Sequence, residues 1–152
     1  LISLIQRVSE ASVRVAGATV AAIGPGLLAL VGVRPTDTEG DARRLVQRIL
    51  EYRVFADVTG RMNHSLADVG GGLLLVPQFT LAAETRKGTR PGFSTAAPPE
   101  QARRLFNVAL EEALKRHAPV AHGVFGADMQ VSLINDGPVT FWLESQGART
   151  SS

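Results

Sequence analysis

Asn135-Asp136-Gly137-Pro138-Val139-Thr140 interrupts an alternating apolar pattern near the C-terminus. Upstream, Met129, Val131 and Leu133 alternate with Gln130, Ser132 and Ile134; downstream, Val139, Phe141 and Leu143 alternate with Thr140, Trp142 and Glu144. Both period-2 runs read as strands. Proline donates nothing to a sheet ladder, so the segment between them reads as a hairpin turn, a bulge or a placed loop. Asn and Asp tolerate left-handed angles, Gly takes any φ, and a Gly-Pro bond reaches cis at a cost of only about 0.5–1 kcal/mol. In isolation the segment reads as a tight hairpin. A second irregular segment favours a functional loop.

That second segment follows Leu73-Leu74-Leu75-Val76, an apolar run expected to be a buried strand. The strand is expected to continue through Pro77-Gln78-Phe79-Thr80-Leu81, with Gln78 and Thr80 on one face and Phe79 and Leu81 on the other. Pro77 removes a ladder donor where the polar pair emerges, which suits a strand end or an edge opened onto a cleft. Glu84 to Phe93 then reads as a loop carrying Arg86, Lys87 and Arg90, two glycines and an aromatic. Such a loop can grip phosphate oxygens and stack a base.

Working outward, residues 2–33 read as a meander of four short strands, with Ser9-Glu10, Ala16-Gly17 and Gly24-Pro25-Gly26 as its turns. Leu27 to Val31 is apolar throughout and expected to be buried on both faces. Two amphipathic helices are expected. One spans 38–51, capped by Asp37 or Thr38, and the other opens at Pro98-Pro99-Glu100 and stops at Pro119. The second should bury Ala102, Leu105, Phe106, Ala109, Leu110, Ala113 and Leu114. Tyr52 to Phe55 and Val120 to Val124 read as short strands, and 146–152 as a frayed polar tail.

A chain of 152 residues fits one domain, expected over 1–145. Its 45% hydrophobic and 20% charged content is that of a globular protein, and no apolar run approaches the roughly 20 residues of a membrane span. The absence of cysteine removes disulfides and thiolate chemistry and fits a reducing, cytoplasmic location. His64, His117 and His122 lie on separate elements without metal-ligand spacing, so no metal and no cofactor are expected. Leu1-Ile2-Ser3-Leu4-Ile5 has no charged flank and reads as a first strand, not a signal peptide. A net charge of +2 with a pI of about 9.7 permits an anionic partner without requiring one.

Pro77-Gln78-Phe79-Thr80-Leu81 and Asn135-Asp136-Gly137-Pro138-Val139-Thr140 together resemble the SQxTL and NxGPVT motifs of D-aminoacyl-tRNA deacylases, the D-tyrosyl-tRNA deacylase family. Ile23-Gly24-Pro25-Gly26-Leu27-Leu28, Arg86-Lys87-Gly88 and Gly123-Val124-Phe125-Gly126-Ala127-Asp128-Met129 extend the likeness over nearly the whole chain. The resemblance implies an α+β fold, a compact β-barrel-like mixed sheet with two main helices, assembled as a homodimer. It implies hydrolysis of the ester joining a D-amino acid to the 3′-terminal adenosine of tRNA, with glycine also admitted for want of a side chain. Gly137 and Pro138, joined by a cis bond, would act as a chiral filter inserted into the partner's pocket. Arg7, Asn135 and Thr140 would support that loop.

Gln78, Phe79 and Thr80 would form the catalytic segment, Phe125 and Met129 the adenosine pocket, and Arg86, Lys87 and Arg90 the phosphate contacts. By resemblance the substrate 2′-hydroxyl assists attack by water, and backbone N–H groups near Phe79 and Thr80 hold the oxyanion. The alternative makes Thr80 a covalent nucleophile, which needs a neighbouring base. A further alternative is a nucleic-acid-binding module that kept the fold and lost turnover. Pro77 stands where the family commonly has serine, a form similar to an animal paralogue with a trans Gly-Pro bond and relaxed chirality. The Asn-Asp-Gly-Pro-Val-Thr motif has its standard form.

Overall fold

The computed structural model describes residues 1–145, so the tail read as frayed lies outside the described residues. The spine is β1, Ile2–Val15, one strand of 14 residues. Its first half pairs antiparallel with β3, Gly26–Gly32, and its second half with β2, Ala18–Ile23. Its other edge is covered end to end by β8, Met129–Glu144. On the far side of β3 lie β6, Gly72–Pro77, and then β7, Val120–His122, both in parallel register. The result is a mixed, nearly closed barrel-like sheet, as expected of an α+β chain.

The turn expected at Ser9-Glu10 is absent, because β1 runs straight through it. Val8 pairs with Asn135 and Glu10 with Ile134, so Ser9 is one extra residue in a bulge rather than a reversal. The hairpin reading of Asn135–Thr140 is corrected by the same ladder. Gln6 pairs with Thr140 and Val8 with Asn135, so both flanks of the segment stay on one partner strand. Arg7 alone faces Asp136 to Val139, a large bulge that pushes the Gly-Pro corner out of the sheet.

The apolar runs sort onto two faces. Leu27, Ala29, Val31, Leu73 and Leu75 meet helices α1, Glu39–Glu51, and α3, Pro99–Arg116. Leu28, Leu74 and Val76 join Val8, Ala11 and Val13 in a second cluster drawn from strands alone. Burial on both faces, expected for 27–31, therefore holds. Helix α1 starts in a capping box: Asp41 N–H donates to Thr38 Oγ1 at 3.2 Å, and Thr38 N–H to Asp41 Oδ2 at 2.8 Å. In α3, Leu114 is 56% exposed, against expectation. At about 100° per residue it lies about 120° round from Ala102, past the edge of the buried stripe.

Two further elements had not been expected: β5, Met62–Ser65, which pairs with β4, Arg53–Ala56, and the one-turn helix α2, Leu66–Val69. A signal for α2 was present in Ser65-x-x-Asp68, which forms a capping box. The strand predicted from Val120 to Val124 ends at His122.

Candidate active site

Strand β6 ends at Pro77, short of the continuation expected to Leu81. Gln78 N–H makes a last ladder bond to Val31 C=O at 2.7 Å, and Phe79–Ala82 then coils into a 3₁₀ turn. Gly32 makes room for it: a Cβ there would stand 3.0 Å from Leu81 Cβ and 3.2 Å from Gln78 O. The polar pair still meets, since Gln78 Nε2 donates to Thr80 Oγ1 within the turn and not across a strand face. Leu81 N–H bonds back to Gln78 C=O at 3.2 Å. The N–H groups of Phe79 and Thr80 precede that first bond, so the turn does not pair them.

The turn divides two hollows. One, a cleft of about 410 Å³, is walled by Pro77, Gln78, Phe79, Phe125 and Met129, with Ala102 of α3 at its back. The other, about 470 Å³, holds Thr80, Arg86, Arg34 and Trp142. The expected site residues Gln78, Phe79, Phe125 and Met129 are thus brought together, and Thr80 lies on the opposite side of the turn. Lys87 and Arg90 line neither hollow. Arg86 reaches back to Glu84, at 3.3 Å. The Arg86 N–H and then its guanidinium hold the Glu84 carboxyl below the usual carboxylate range. Two residues of that hollow, Trp142 through its indole N–H and then Arg34, hold the Glu144 carboxyl below the usual carboxylate range.

The sequence reads Phe106 only as core and Gly123 only as part of a motif, and places neither at the cleft. Gly123 N–H donates to Leu75 C=O at 2.8 Å, and a Cβ on Gly123 would stand 2.7 Å from Met129 Sδ, so this glycine seats the Met129 side chain. Phe106 of α3 packs its ring 6.5 Å from Phe125. Phe93 sits 5.4 Å from the half-exposed Phe79 and extends the apolar mouth. The repeated glycine in Gly123 to Gly126 was the available signal, but the partner it accommodates is remote in sequence.

The remaining expected residues form a second group on the β8 bulge. Arg7 Nε donates to Asp136 C=O at 3.1 Å and Arg7 Nη1 to Val54 C=O at 2.7 Å, so one guanidinium ties the bulge to β4. Asn135 Nδ2 donates to Thr140 Oγ1 at 2.8 Å, and Val139 N–H to Asn135 Oδ1 at 3.1 Å, closing the bulge at its neck. The Gly137-Pro138 bond is cis and Gly137 has φ +132, a region that favours glycine. Gly137 and Pro138 are exposed, and neither lines the cleft of its own chain.

Residues 4–144 match the family described as D-Tyr-tRNA(Tyr) deacylase. The chain belongs to that family. Among relatives of this D-Tyr-tRNA(Tyr) deacylase family member is a D-aminoacyl-tRNA deacylase of Thioalkalivibrio sulfidiphilus. It is 65% identical over 144 residues, covering 95% of this chain and 97% of the relative. One of Azotobacter vinelandii is 62% identical over 143 residues, covering 94% and 99%. A solved structure named c-Myc DNA Unwinding Element Binding Protein matches with a TM-score of 0.91 at 41% identity, covering 97% of this chain and 100% of its own. A probable eukaryotic D-amino acid tRNA deacylase matches at 0.83 with 16% identity, covering 94% and 98%, a likeness of fold. Among the described residues no three His, Cys, Asp or Glu side chains gather as a metal site, and no helix is long and apolar enough to cross a membrane.

Proposed function

We propose that this protein hydrolyses the ester between a D-amino acid and the 3′-terminal adenosine of tRNA, working as a homodimer. The observation that carries the reading is the cleft joining Gln78 and Phe79 to Phe125 and Met129, in a chain whose family membership spans residues 4–144. Adenosine enters between Phe125 and Met129, and its esterified end meets the 3₁₀ turn. The N–H groups of Phe79 and Thr80 hold the oxyanion, each such preorganised donor being worth about 3–4 kcal/mol. The partner of Thr80 Oγ1 is the Gln78 amide, which donates and has no basic nitrogen to take a proton. That favours attack by water assisted by the substrate 2′-hydroxyl over a Thr80 nucleophile.

The Gly137-Pro138 corner supplies chirality. It is exposed and outside the cleft of its own chain, so a second copy must lend it. Its carbonyls then occupy the space of an L side chain, and glycine passes. Arg7, Asn135 and Thr140 hold the corner's shape.

Purified protein is tested on D-, L- and glycyl-aminoacylated tRNA. The D and glycyl esters should be cleaved and the L ester spared. Equal cleavage of both hands would defeat the filter, and release of neither would leave the binding-only reading that the DNA-binding name of one structural neighbour brings to mind. Thr80→Ala should retain activity within about a thousandfold of wild type; a larger loss would move the reaction to covalent catalysis.

A further inference from the structure

Arg103, on the second turn of α3, lies against the cleft without belonging to any of the groups above. Its guanidinium carbon is 4.8 Å from the centroid of the Phe125 ring. Gly126, the next residue of the cleft wall, has φ +80, and a Cβ there would stand 3.7 Å from Arg103 Nη2. Arg103 therefore lies along the rim made by Phe125 and Gly126, both of which line the cleft. Among the described residues no carboxylate or carbonyl pairs with it. Its neighbour Arg104 differs, since Glu39 neutralises it at 3.2 Å. Arg86, Arg34 and Arg116 likewise have carboxylate partners.

An arginine stacked on an aromatic face keeps its in-plane N–H donors free at the edge, and that fork matches a phosphate. The Phe125 face inside the cleft suits a nucleobase. We infer that Arg103 binds the phosphate on the 5′ side of the terminal nucleotide while Phe125 and Met129 hold its base. The assignment rests on the deacylase reading and adds to it a contact that aminoacyl-adenosine alone cannot make. It also places the entry of the RNA strand at the α3 side of the cleft, where Phe125 and Gly126 form the rim.

The test uses full-length protein and two stable amide-linked mimics. One is 3′-amino-3′-deoxyadenosine carrying a D-amino acid; the other is the same nucleoside extended 5′ through a phosphodiester to cytidine. Wild type should bind the dinucleotide about tenfold tighter than the nucleoside, a gain that shrinks with added salt. Arg103→Gln should abolish the gain and leave nucleoside binding unchanged, with Arg103→Lys restoring part of it. On D-aminoacyl-tRNA, Arg103→Gln should lower kcat/KM about tenfold and reduce the slope of log affinity against log salt by about one. Equal weakening of both mimics would reduce Arg103 to a support for Phe125, and an unchanged gain would remove it from the site; either overturns the inference. A wild type that cleaves D-aminoacyl-tRNA keeps the deacylase reading in those cases, whereas one that neither cleaves it nor binds either mimic sinks both.

Discussion

Arg7 is the residue on which the bulge turns, because it alone on β1 faces the four residues that leave the ladder. Its side chain is only 17% exposed, and it donates to carbonyls of the bulge and of β4. Arg7→Ala leaves both carbonyls without that donor, a loss of about 1–3 kcal/mol. Thermal unfolding should show a modest fall, and the ratio of D to L cleavage should drop much further. Arg7→Lys should not rescue the ratio, since an ammonium cannot span two carbonyls as a planar fork does. Gly137 gives a sharper case. A Cβ there would stand 2.7 Å from Val139 Cγ2 and 3.2 Å from Arg7 Nη2, at a φ that L residues rarely adopt. Gly137→Ala should displace the corner and cut D-ester cleavage at least about tenfold, with circular dichroism unchanged. The identity of these residues was legible in the sequence, as was the oddity of Gly-Pro. That Arg7 touches them was expected only through resemblance, for nothing local links positions 7 and 136.

Elements were legible where their pattern is local. Helices α1 and α3 follow from apolar spacing, a Thr38 cap and Pro99 in the first turn, and the structure keeps their bounds within a residue or two. Strand β1 was not, because Ser9-Glu10 looks like a turn until β8 shows it to be a bulge. The end of β6 was misjudged for a similar reason: Pro77 was noticed, but Gly32, which lets the chain coil into a 3₁₀ turn, lies 45 residues away, and Gly26 hides a comparable role. It reads as a turn glycine, yet a Cβ there would overlap the Gly72 carbonyl oxygen where β3 and β6 begin their parallel ladder. Backbone on both sides cannot yield as a side chain would. Gly26→Ala should therefore cost more than about 4 kcal/mol, seen as a large shift in urea midpoint or as insoluble protein. A variant that unfolds at the wild-type midpoint would show that the two strands can part without loss.

At the scale of the molecule, the two groups of candidate residues sit apart on one chain, the cleft at the end of β6 and the corner on β8. If each cleft is completed by the corner of the other copy, the defects should complement. A cleft variant, Phe125→Ala with Met129→Ala, keeps a sound corner; a corner variant, Gly137→Ala with Pro138→Ala, keeps a sound cleft. Alone, each should be nearly inactive on D-aminoacyl-tRNA. Mixed in equal amounts and allowed to exchange, half the dimers are mixed, and in each of these one cleft of two receives a sound corner. About a quarter of wild-type activity per site should return, rising with time as subunits exchange and falling on dilution below the dimer dissociation constant. With an affinity tag on one variant only, co-purification of the untagged variant from the same samples reports whether mixed dimers formed. Mixed dimers without recovered activity would mean that the corner serves its own chain or none, and the homodimeric filter would have to be given up.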